Sequence, residues 1–155
     1  MFKKIAIGLL AVAATSAVAL SIPTAANASA FDEESWGSVS SQNGRATASG
    51  RVDVEWGDEE GSNNVSVRGR LYDRDHRTED QGGKCAYVRF RSTDFDGDSS
   101  NVYKRKYCGY PQYKKFSFST DDITSLRVQV CQIGPHSSQP TRCGDWETIF
   151  EGTEE

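Results

Sequence analysis

Short segments in which apolar and polar residues alternate one by one make up most of the chain after residue 30. Because successive side chains of a β-strand point to opposite faces of a sheet, this alternation predicts strands with one buried face. Clusters of Gly, Asn, Asp and Ser separate the segments, as in turns, and helical periodicity is almost absent. We therefore expect an all-β fold, namely a small antiparallel β-sandwich of two sheets with about seven or eight strands.

The alternation also predicts which side chains face the core. Strands are expected at residues 51–56, 64–72, 115–120, 125–133 and 147–151, with residues 46–48 as an additional edge strand. The last strand allows two registers, in which either Ile149 or the pair Thr148 and Phe150 faces inward. In the other strands the residues expected to face inward are Val52, Val54, Trp56, Val65, Val67, Leu71, Phe116, Phe118, Leu126, Val128 and Val130.

The first thirty residues have the three parts of a secretory signal peptide. Two lysines precede an apolar run over residues 5–22, and small residues follow up to Ala28 and Ala30. The run is rich in Ala and is followed directly by Pro23, which favours cleavage after Ala28 or Ala30 over a membrane anchor. We therefore expect a secreted, extracellular protein with no membrane association after cleavage.

Removal of 30 of the 155 residues leaves 125, which suits one domain with one core. We expect residues 31–44 to form an extended or flexible segment and residues 45–155 to form a single β-sandwich domain. The leader carries two of the 18 basic residues and no acidic residue, so the remaining chain has a net charge of −6. This excess of acidic residues argues against general nucleic-acid binding, which requires an excess of Lys and Arg.

The remaining chain contains four cysteines, which are expected to form disulfides in an exported protein. Zinc is the alternative, but there is no Cys-x-x-Cys motif, and His76 and His136 are not spaced as ligands. Four cysteines allow three pairings. The cysteines are Cys85, Cys108, Cys131 and Cys143.

A hairpin formed by residues 85–91 and 102–108 would select one of these pairings. If Cys85 lies opposite Cys108, one face of the hairpin is apolar and the other is mostly basic. Cys131 would then pair with Cys143 and clamp the loop 134–142. The apolar face holds Ala86, Val88, Phe90, Tyr103 and Tyr107 together with Arg105. On the other face the expected opposed pairs are Tyr87 with Lys106, Arg89 with Lys104 and Arg91 with Val102.

This second face, which we call the basic face, consists of Tyr87, Arg89, Arg91, Lys104 and Lys106. Like charges directly opposite each other destabilise a strand pair. One interpretation is that neighbouring acidic loops neutralise the cations. The other is that the basic face docks onto an acidic partner, aided by Tyr110 and Tyr113, because Tyr and Arg are enriched at interface hot spots.

Sequence motifs for catalysis or metal binding are weak. There is no Gly-x-Ser-x-Gly motif, and His76, which lies beside carboxylates as a general base would, is more simply a solvated loop residue. Residues 94–98 resemble a calcium loop, yet Ser99 and Arg105 stand where an EF-hand requires Gly and Glu. A hairpin tip is the simpler interpretation, and the alternative is a calcium site formed by Asp94, Asp96 and Asp98. We predict no catalytic residue, no metal site and no cofactor.

The segment that precedes the predicted domain is polar, and Phe31, Trp36 and Val39 are its only large apolar residues. It predicts either a disordered tail or a strand that adds to the sheet of a partner. These three residues are therefore candidate binding residues, and Trp36 is expected to be the most exposed of the three tryptophans.

The leader, the Ala-x-Ala sites and a β domain rich in Gly, Ser and Thr resemble small exported proteins of actinobacteria. Within that class, an extension at residues 31–44 followed by a four-cysteine sandwich ending Cys143-Gly-Asp-Trp146 is similar to the small adaptor subunit of secreted umbrella toxin particles. The resemblance implies an immunoglobulin-like fold that joins a large repeat-bearing toxin subunit to a lectin subunit. It also implies that the N-terminal extension docks in the toxin subunit.

Three functions follow as hypotheses. The first is a secreted, non-enzymatic binding or adaptor module that docks onto another exported protein, within a toxin particle if the resemblance holds. The second is a small secreted hydrolase or carbohydrate-active protein, which clustering of His76 with acids in one cleft would favour. The third is a secreted enzyme inhibitor, which a rigid, protruding loop 134–142 would favour.

Overall fold

The computed structural model describes residues 32–58 and 61–152. The predicted signal peptide, its cleavage site and Phe31 lie outside these residues. Within the described ranges the chain forms nine strands and one turn of 3₁₀-helix at Glu79–Gln81, and no helix there is long and apolar enough to cross a membrane. The strands are β1 (Asp32–Ser40), β2 (Ala46–Trp56), β3 (Asn63–Asp73), β4 (Cys85–Asp94), β5 (Ser99–Tyr107), β6 (Tyr113–Asp121), β7 (Ile123–Ile133), β8 (Pro140–Thr141) and β9 (Glu147–Glu151).

The strands form two antiparallel sheets packed as a disulfide-bonded β-sandwich, which confirms the predicted fold class. Sheet A has the order β1-β2-β3-β6, and sheet B has the order β5-β4-β7, with β8 and β9 both pairing with β7. Without β1 and the two-residue β8, seven strands remain. The first, second and fifth of these (β2, β3 and β6) lie in sheet A, and the third, sixth and seventh (β4, β7 and β9) lie in sheet B, as in immunoglobulin domains. The fourth strand, β5, pairs with the third, and β1 is an addition.

Phe90 lies at the centre of the core and is fully buried. Its ring centroid is 4.8 Å from that of Phe118, 5.6 Å from that of Phe116 and 6.1 Å from that of Trp36. These contacts join β4 of sheet B to both edge strands of sheet A. The other residues expected to face inward are buried as predicted, with Phe118 partly buried, and they are Val52, Val54, Val65, Val67, Leu71, Leu126, Val128 and Val130.

Three details differ from the sequence-based expectation. Trp56 is 48% exposed because it is the last residue of β2, and its ring packs against Phe150 near the rim of the sandwich. Ile149 and Phe150 are both buried, since a register shift between β7 and β9 interrupts the alternation at this point. Residues 46–48 begin an interior strand, because β1 pairs with the edge of β2 that was expected to be free.

The segment before the predicted domain belongs to the sandwich, so the disordered tail is the wrong alternative for residues 32–40. β1 pairs with β2 of the same chain rather than with a partner. Trp36 and Val39 are only 7% and 8% exposed, so the expectation that Trp36 is the most exposed of the three tryptophans is wrong, and a binding role for the two residues stays a prediction. The physical reason lies in β2 and β3, where Gly50 leaves room for the Trp36 ring and Gly69 leaves room for the Phe116 ring inside the core.

Both predicted disulfides are present, and both lie in sheet B. Cys85 is bonded to Cys108, which joins the start of β4 to the residue after β5. Cys131 is bonded to Cys143, which joins β7 to the segment that leads into β9. The described cysteines therefore leave no free thiol.

Candidate functional site

The basic face lies on the solvent side of sheet B. Ala86, Val88 and Phe90 of β4 are buried, so the residues between them point outward. A register shift after Phe90 places Arg91 opposite Asn101 instead of Val102, because a bulge adds one residue to β5 at this point. Before the shift the predicted opposed pairs are found, namely Tyr87 with Lys106 and Arg89 with Lys104.

Arg89 is held in one orientation by a glutamine from the neighbouring strand. Its Nε and Nη2 atoms both donate to Gln129 Oε1, at 2.8 and 2.6 Å. Gln129 is itself buried, and its Nε2 atom donates to the carbonyl oxygen of Gly144 at 2.8 Å. The guanidinium group is thus positioned before any partner arrives, which lowers the entropic cost of binding.

Two arginines of the basic face lie over the ring of Trp146. The guanidinium carbons of Arg89 and Arg91 each lie 5.1 Å from the centroid of the Trp146 ring. A cation over an aromatic ring is stabilised by about 0.5–1 kcal/mol at an exposed site. Trp146 is therefore part of the site, although it was not among the binding residues predicted from the sequence.

The two lysines of the basic face have different surroundings. Lys106 Nζ donates to the carbonyl oxygen of Gly134 at 2.8 Å and to that of Pro135, so it fastens the start of the loop 134–142. Lys104 is exposed at a small cavity of about 380 Å³ that Tyr87 and Arg89 also line. Lys106 thus supports a loop, whereas Lys104 is directed toward solvent.

No carboxylate oxygen of the described residues lies within 4.0 Å of a cation of the basic face. The interpretation that neighbouring acidic loops neutralise these charges therefore fails at ion-pair distance. The described ion pairs lie elsewhere and join Asp75 to Arg45 and Arg77, Asp53 to Arg68, and Glu79 to His136.

A second cationic surface was not identified from the sequence. It is a groove of about 910 Å³ beside sheet A, which we call the arginine groove. None of the residues that line it is acidic. Its cations are Arg51, Arg68, Arg70, Arg105 and Lys115.

The signal for this groove was present in the alternation of β2 and β3. Arg51, Arg68 and Arg70 lie directly beside the inward-facing residues Val52, Val67 and Leu71, so they point to the opposite face of the sheet. Their juxtaposition depends on the pairing register, which places Arg51 opposite Arg68 and Arg70 opposite Lys115. A hairpin of β2 and β3 in which Trp56 lies opposite Asn63 brings Arg51 opposite Arg68.

A third cavity, of about 380 Å³, brings His76 together with several acids beside the Cys85–Cys108 disulfide. Its lining includes Asp73, Asp75 and Glu79. This is the clustering that the hydrolase hypothesis requires. The structure thus assembles His76 and carboxylates in one cleft, and the chemistry depends on which of those carboxylates can exchange a proton.

Asp75 is occupied by structural contacts. Its side chain is fully buried, and it accepts hydrogen bonds from Arg77 Nε and Nη2 at 2.9 and 2.8 Å. The Lys84 backbone N–H and the Gln132 side chain also donate to it, both at 3.1 Å. The Arg77 hydrogen bonds hold the pKa of Asp75 well below its usual range. Asp75 is therefore an anion at neutral pH and cannot act as an acid or base there.

Asp73 is the acid of this cleft whose properties suit proton transfer. Burial raises its pKa above the usual value, although its oxygens accept hydrogen bonds from the backbone N–H groups of Asp75 and Gly109. His76 is exposed, and its ring lies 6.2 Å from that of Tyr110. A raised pKa in a cleft is typical of functional carboxylates.

The residues of the calcium-loop hypothesis form the tip of the β4–β5 hairpin. Asp94 Oδ1 accepts hydrogen bonds from the backbone N–H groups of Asp96 and Asp98, at 3.1 and 2.8 Å. Such contacts are typical of a turn stabilised by an Asp side chain. Among the residues that the structure describes, no group of three or more His, Cys, Asp or Glu side chains is arranged to hold a metal ion.

The loop 134–142 is fastened at several points. The disulfide at Cys143 and the Lys106 hydrogen bonds hold its ends, and His136 Nε2 lies 3.0 Å from Glu79 Oε1. Residues 136–139 are exposed. This arrangement is compatible with the inhibitor hypothesis without providing a specific contact that selects it.

The structure therefore gathers five of the eight predicted binding residues on one face. Trp36 and Val39 lie in the core instead, and Phe31 lies outside the described residues. In comparisons with known proteins, no protein family, curated protein or solved structure matches this chain.

Proposed function

We propose that the protein is a secreted, non-enzymatic binding module that docks through its basic face onto an acidic surface of another exported protein. The observation that carries the proposal is the pair of arginines over Trp146 with no carboxylate at ion-pair distance among the described residues. Interfaces concentrate binding energy in Arg, Trp and Tyr, which are the residue types found here.

The arrangement of the basic face supports a specific partner rather than diffuse attraction. Gln129 and Trp146 fix the Arg89 guanidinium, whose planar donors match a carboxylate in two parallel hydrogen bonds. Arg91 and Lys104 add charges that would steer an acidic surface toward the site. An adaptor in a toxin particle, as the sequence resemblance implies, is one setting for such docking, with the face of sheet B as the contact.

The test is capture of a partner from culture supernatant by the tagged protein, with identification of what binds. We expect recovery of a larger exported protein whose binding weakens as salt rises, because the contact is charge-assisted. The double variant Arg91→Gln, Lys104→Gln should lose at least about tenfold in affinity for that protein, since it removes two steering charges. The matched control is Lys114→Gln, Arg142→Gln, which makes the same charge change elsewhere and should bind as the wild type does.

Equal binding by the two double variants would contradict the proposal.

The second candidate function is that of a hydrolase, which the clustering of Asp73 and His76 in one cleft favours. The purified wild type is assayed for hydrolysis of ester, peptide and glycoside substrates. Activity that is lost in Asp73→Asn and retained in Arg91→Gln, Lys104→Gln would contradict the binding module and support the hydrolase.

A further inference from the structure

The arginine groove places like charges directly opposite each other on neighbouring strands. Arg51 lies opposite Arg68, and Arg70 lies opposite Lys115. Such pairs are unfavourable within a sheet, and two of them occur side by side. The opposition of Arg70 and Lys115 therefore carries a local electrostatic cost that an anionic ligand would relieve.

Partial compensation within the chain does not remove this charge. Arg68 Nη2 lies 3.2 Å from Asp53 Oδ2, but the Arg68 side chain is 74% exposed, where ion pairs are weak. The guanidinium carbon of Arg70 lies 5.0 Å from the centroid of the Tyr113 ring, which orients the side chain without neutralising it. Arg105 reaches the same groove from β5 of the other sheet.

The lining also indicates the class of ligand. Of its three aromatic rings, Trp36 and Phe116 are only 7% and 6% exposed and Tyr103 is partly buried, so the lining offers little exposed apolar surface to anchor a protein side chain. The lining also carries the hydroxyl groups of Ser35, Ser49, Ser117 and Tyr103. Hydroxyls and guanidinium groups in an open groove match the hydroxyls and the carboxylate or sulfate groups of a sugar polymer.

The size and layout of the groove agree with an extended ligand. A volume of about 910 Å³ lies at the upper end of the range for ligand sites, which is about 300–1,000 Å³. Neighbouring strands are about 4.8 Å apart and residues two apart on one strand about 6.8 Å, so the four cations of β2, β3 and β6 form a row across three strands. We propose that the arginine groove binds an anionic polysaccharide that carries carboxylate or sulfate groups.

This proposal goes beyond the docking function, because most of the groove lies on sheet A and the basic face lies on sheet B. Arg51, Arg68 and Arg70 point away from the core on sheet A, whereas Arg89 and Arg91 point away from it on sheet B. A protein partner and a polysaccharide would therefore contact mainly different sheets, with Tyr103 of β5 lining both the groove and the cavity beside Lys104.

The experiment measures binding of polygalacturonate and dextran sulfate by titration calorimetry, with neutral dextran and poly-L-glutamate as comparisons. We expect binding of at least one of the two anionic polysaccharides, weakening as salt rises, and no binding of neutral dextran. Polygalacturonate and dextran sulfate distinguish carboxylate from sulfate recognition. Binding of poly-L-glutamate more tightly than of either polysaccharide would overturn the proposal in favour of an acidic polypeptide, and binding of none of them would also overturn it.

Variants locate the site. Arg70→Gln, Lys115→Gln should lower the affinity by at least about tenfold, while Arg91→Gln, Lys104→Gln, which makes the same charge change on sheet B, should bind the polysaccharide normally. All four substituted residues are exposed, so both variants should remain folded and unfold cooperatively, with unfolding temperatures within a few degrees of the wild type. Equal loss of affinity in the two variants would contradict a site in the groove.

A fluorescence measurement separates this proposal from the docking function. In the variant Trp56→Phe, Trp146→Phe the remaining described tryptophan is Trp36, which lines the groove. Polysaccharide should change the Trp36 emission, and it should leave the emission unchanged in Trp36→Phe, Trp56→Phe, where Trp146 reports on the basic face. The opposite pattern would assign the polysaccharide to the basic face and overturn the groove as its site.

Discussion

The buried carboxylate of Asp75 holds the loop after β3 in place through hydrogen bonds and ion pairs. Asp75 lies just after β3 and accepts hydrogen bonds from Arg77 and Lys84 of its own loop and from Gln132 of β7. Arg45, which precedes β2, lies 3.6 Å from the same carboxylate. One side chain thus connects both sheets with the loop that leads to Cys85.

Replacing this carboxylate should measurably weaken the fold. We expect Asp75→Asn to lower the free energy of unfolding by about 2 kcal/mol, because hydrogen bonds to a charged group are worth roughly 1.5–3 kcal/mol. The control is Asp53→Asn, which makes the same change at an exposed ion pair and should cost less than about 1 kcal/mol. Urea unfolding at neutral pH measures both, and equal effects would contradict the assigned role of Asp75.

The same residue predicts a pH dependence. Because the pKa of Asp75 is lower in the folded than in the unfolded chain, its contribution is complete above about pH 4 and is lost as the pH falls below that value. Asp73 acts in the opposite sense, since burial raises its pKa and its ionisation disfavours the fold as the pH rises above about 4. Urea unfolding between about pH 2 and about pH 7, a range that includes the transitions near pH 4, should show a smaller loss of stability toward acid in Asp75→Asn than in the wild type.

At the scale of the strands, a row of residues across sheet A explains why β1 belongs to the sandwich. Trp36, Gly50, Gly69 and Phe116 are paired in sequence across β1, β2, β3 and β6. The two glycines leave space, and the two rings approach to 6.5 Å between centroids. Phe90 of sheet B packs against both rings and completes this part of the core.

A methyl group in this row should be poorly tolerated. A Cβ at Gly50 would lie 2.1 Å from the carbonyl oxygen of Arg68, which is backbone and cannot move aside without distorting β3. We expect Gly50→Ala to lower the free energy of unfolding by about 2 kcal/mol, within the usual range for overpacking. Gly37→Ala is the matched control, because a Cβ there meets no atom within 4 Å. Thermal unfolding that does not distinguish the two variants would contradict this interpretation.

At the scale of the whole molecule, both disulfides stabilise the fold, but only one of them lies next to the basic face. Both lie in sheet B, and they close segments with sequence separations of 23 and 12 residues. By the chain-entropy model each contributes about 3 kcal/mol, a large part of the 5–15 kcal/mol typical of a domain. Only the Cys131–Cys143 bond lies beside the segment that carries Trp146 under Arg89 and Arg91.

Removal of the two disulfides should therefore have different effects on binding of the partner. Cys85→Ala, Cys108→Ala and Cys131→Ala, Cys143→Ala should each lower the free energy of unfolding by about 3 kcal/mol. Only the second variant should also weaken capture of the acidic partner, because it releases the chain that positions Trp146. Denaturant unfolding and the capture assay, run below the unfolding midpoint of both variants, measure the two effects. Equal capture by the two variants would contradict the role of Trp146.

Much of the fold was predictable from local pattern. Alternation identified the core positions of β2, β3 and β7, and the assumption of one cysteine pair gave the β4–β5 register up to Phe90. The basic face followed from that register, since a known opposed pair determines all its neighbours on two regular strands. The bulge after Phe90 and the register shift at β9 were not predictable, because one inserted residue leaves the alternation of each strand almost unchanged.

The sequence by itself determined the strand content, the disulfide pairing on the hairpin assumption and the outward direction of the basic residues, because these depend on residues close in the chain or on one pairing. Only the tertiary structure decided that Trp36 is buried, that Trp146 lies under two arginines and that five cations share a groove. Each of these depends on which distant strands become neighbours. Burial and charge at a surface are set by such neighbours, and no local period in the chain encodes them.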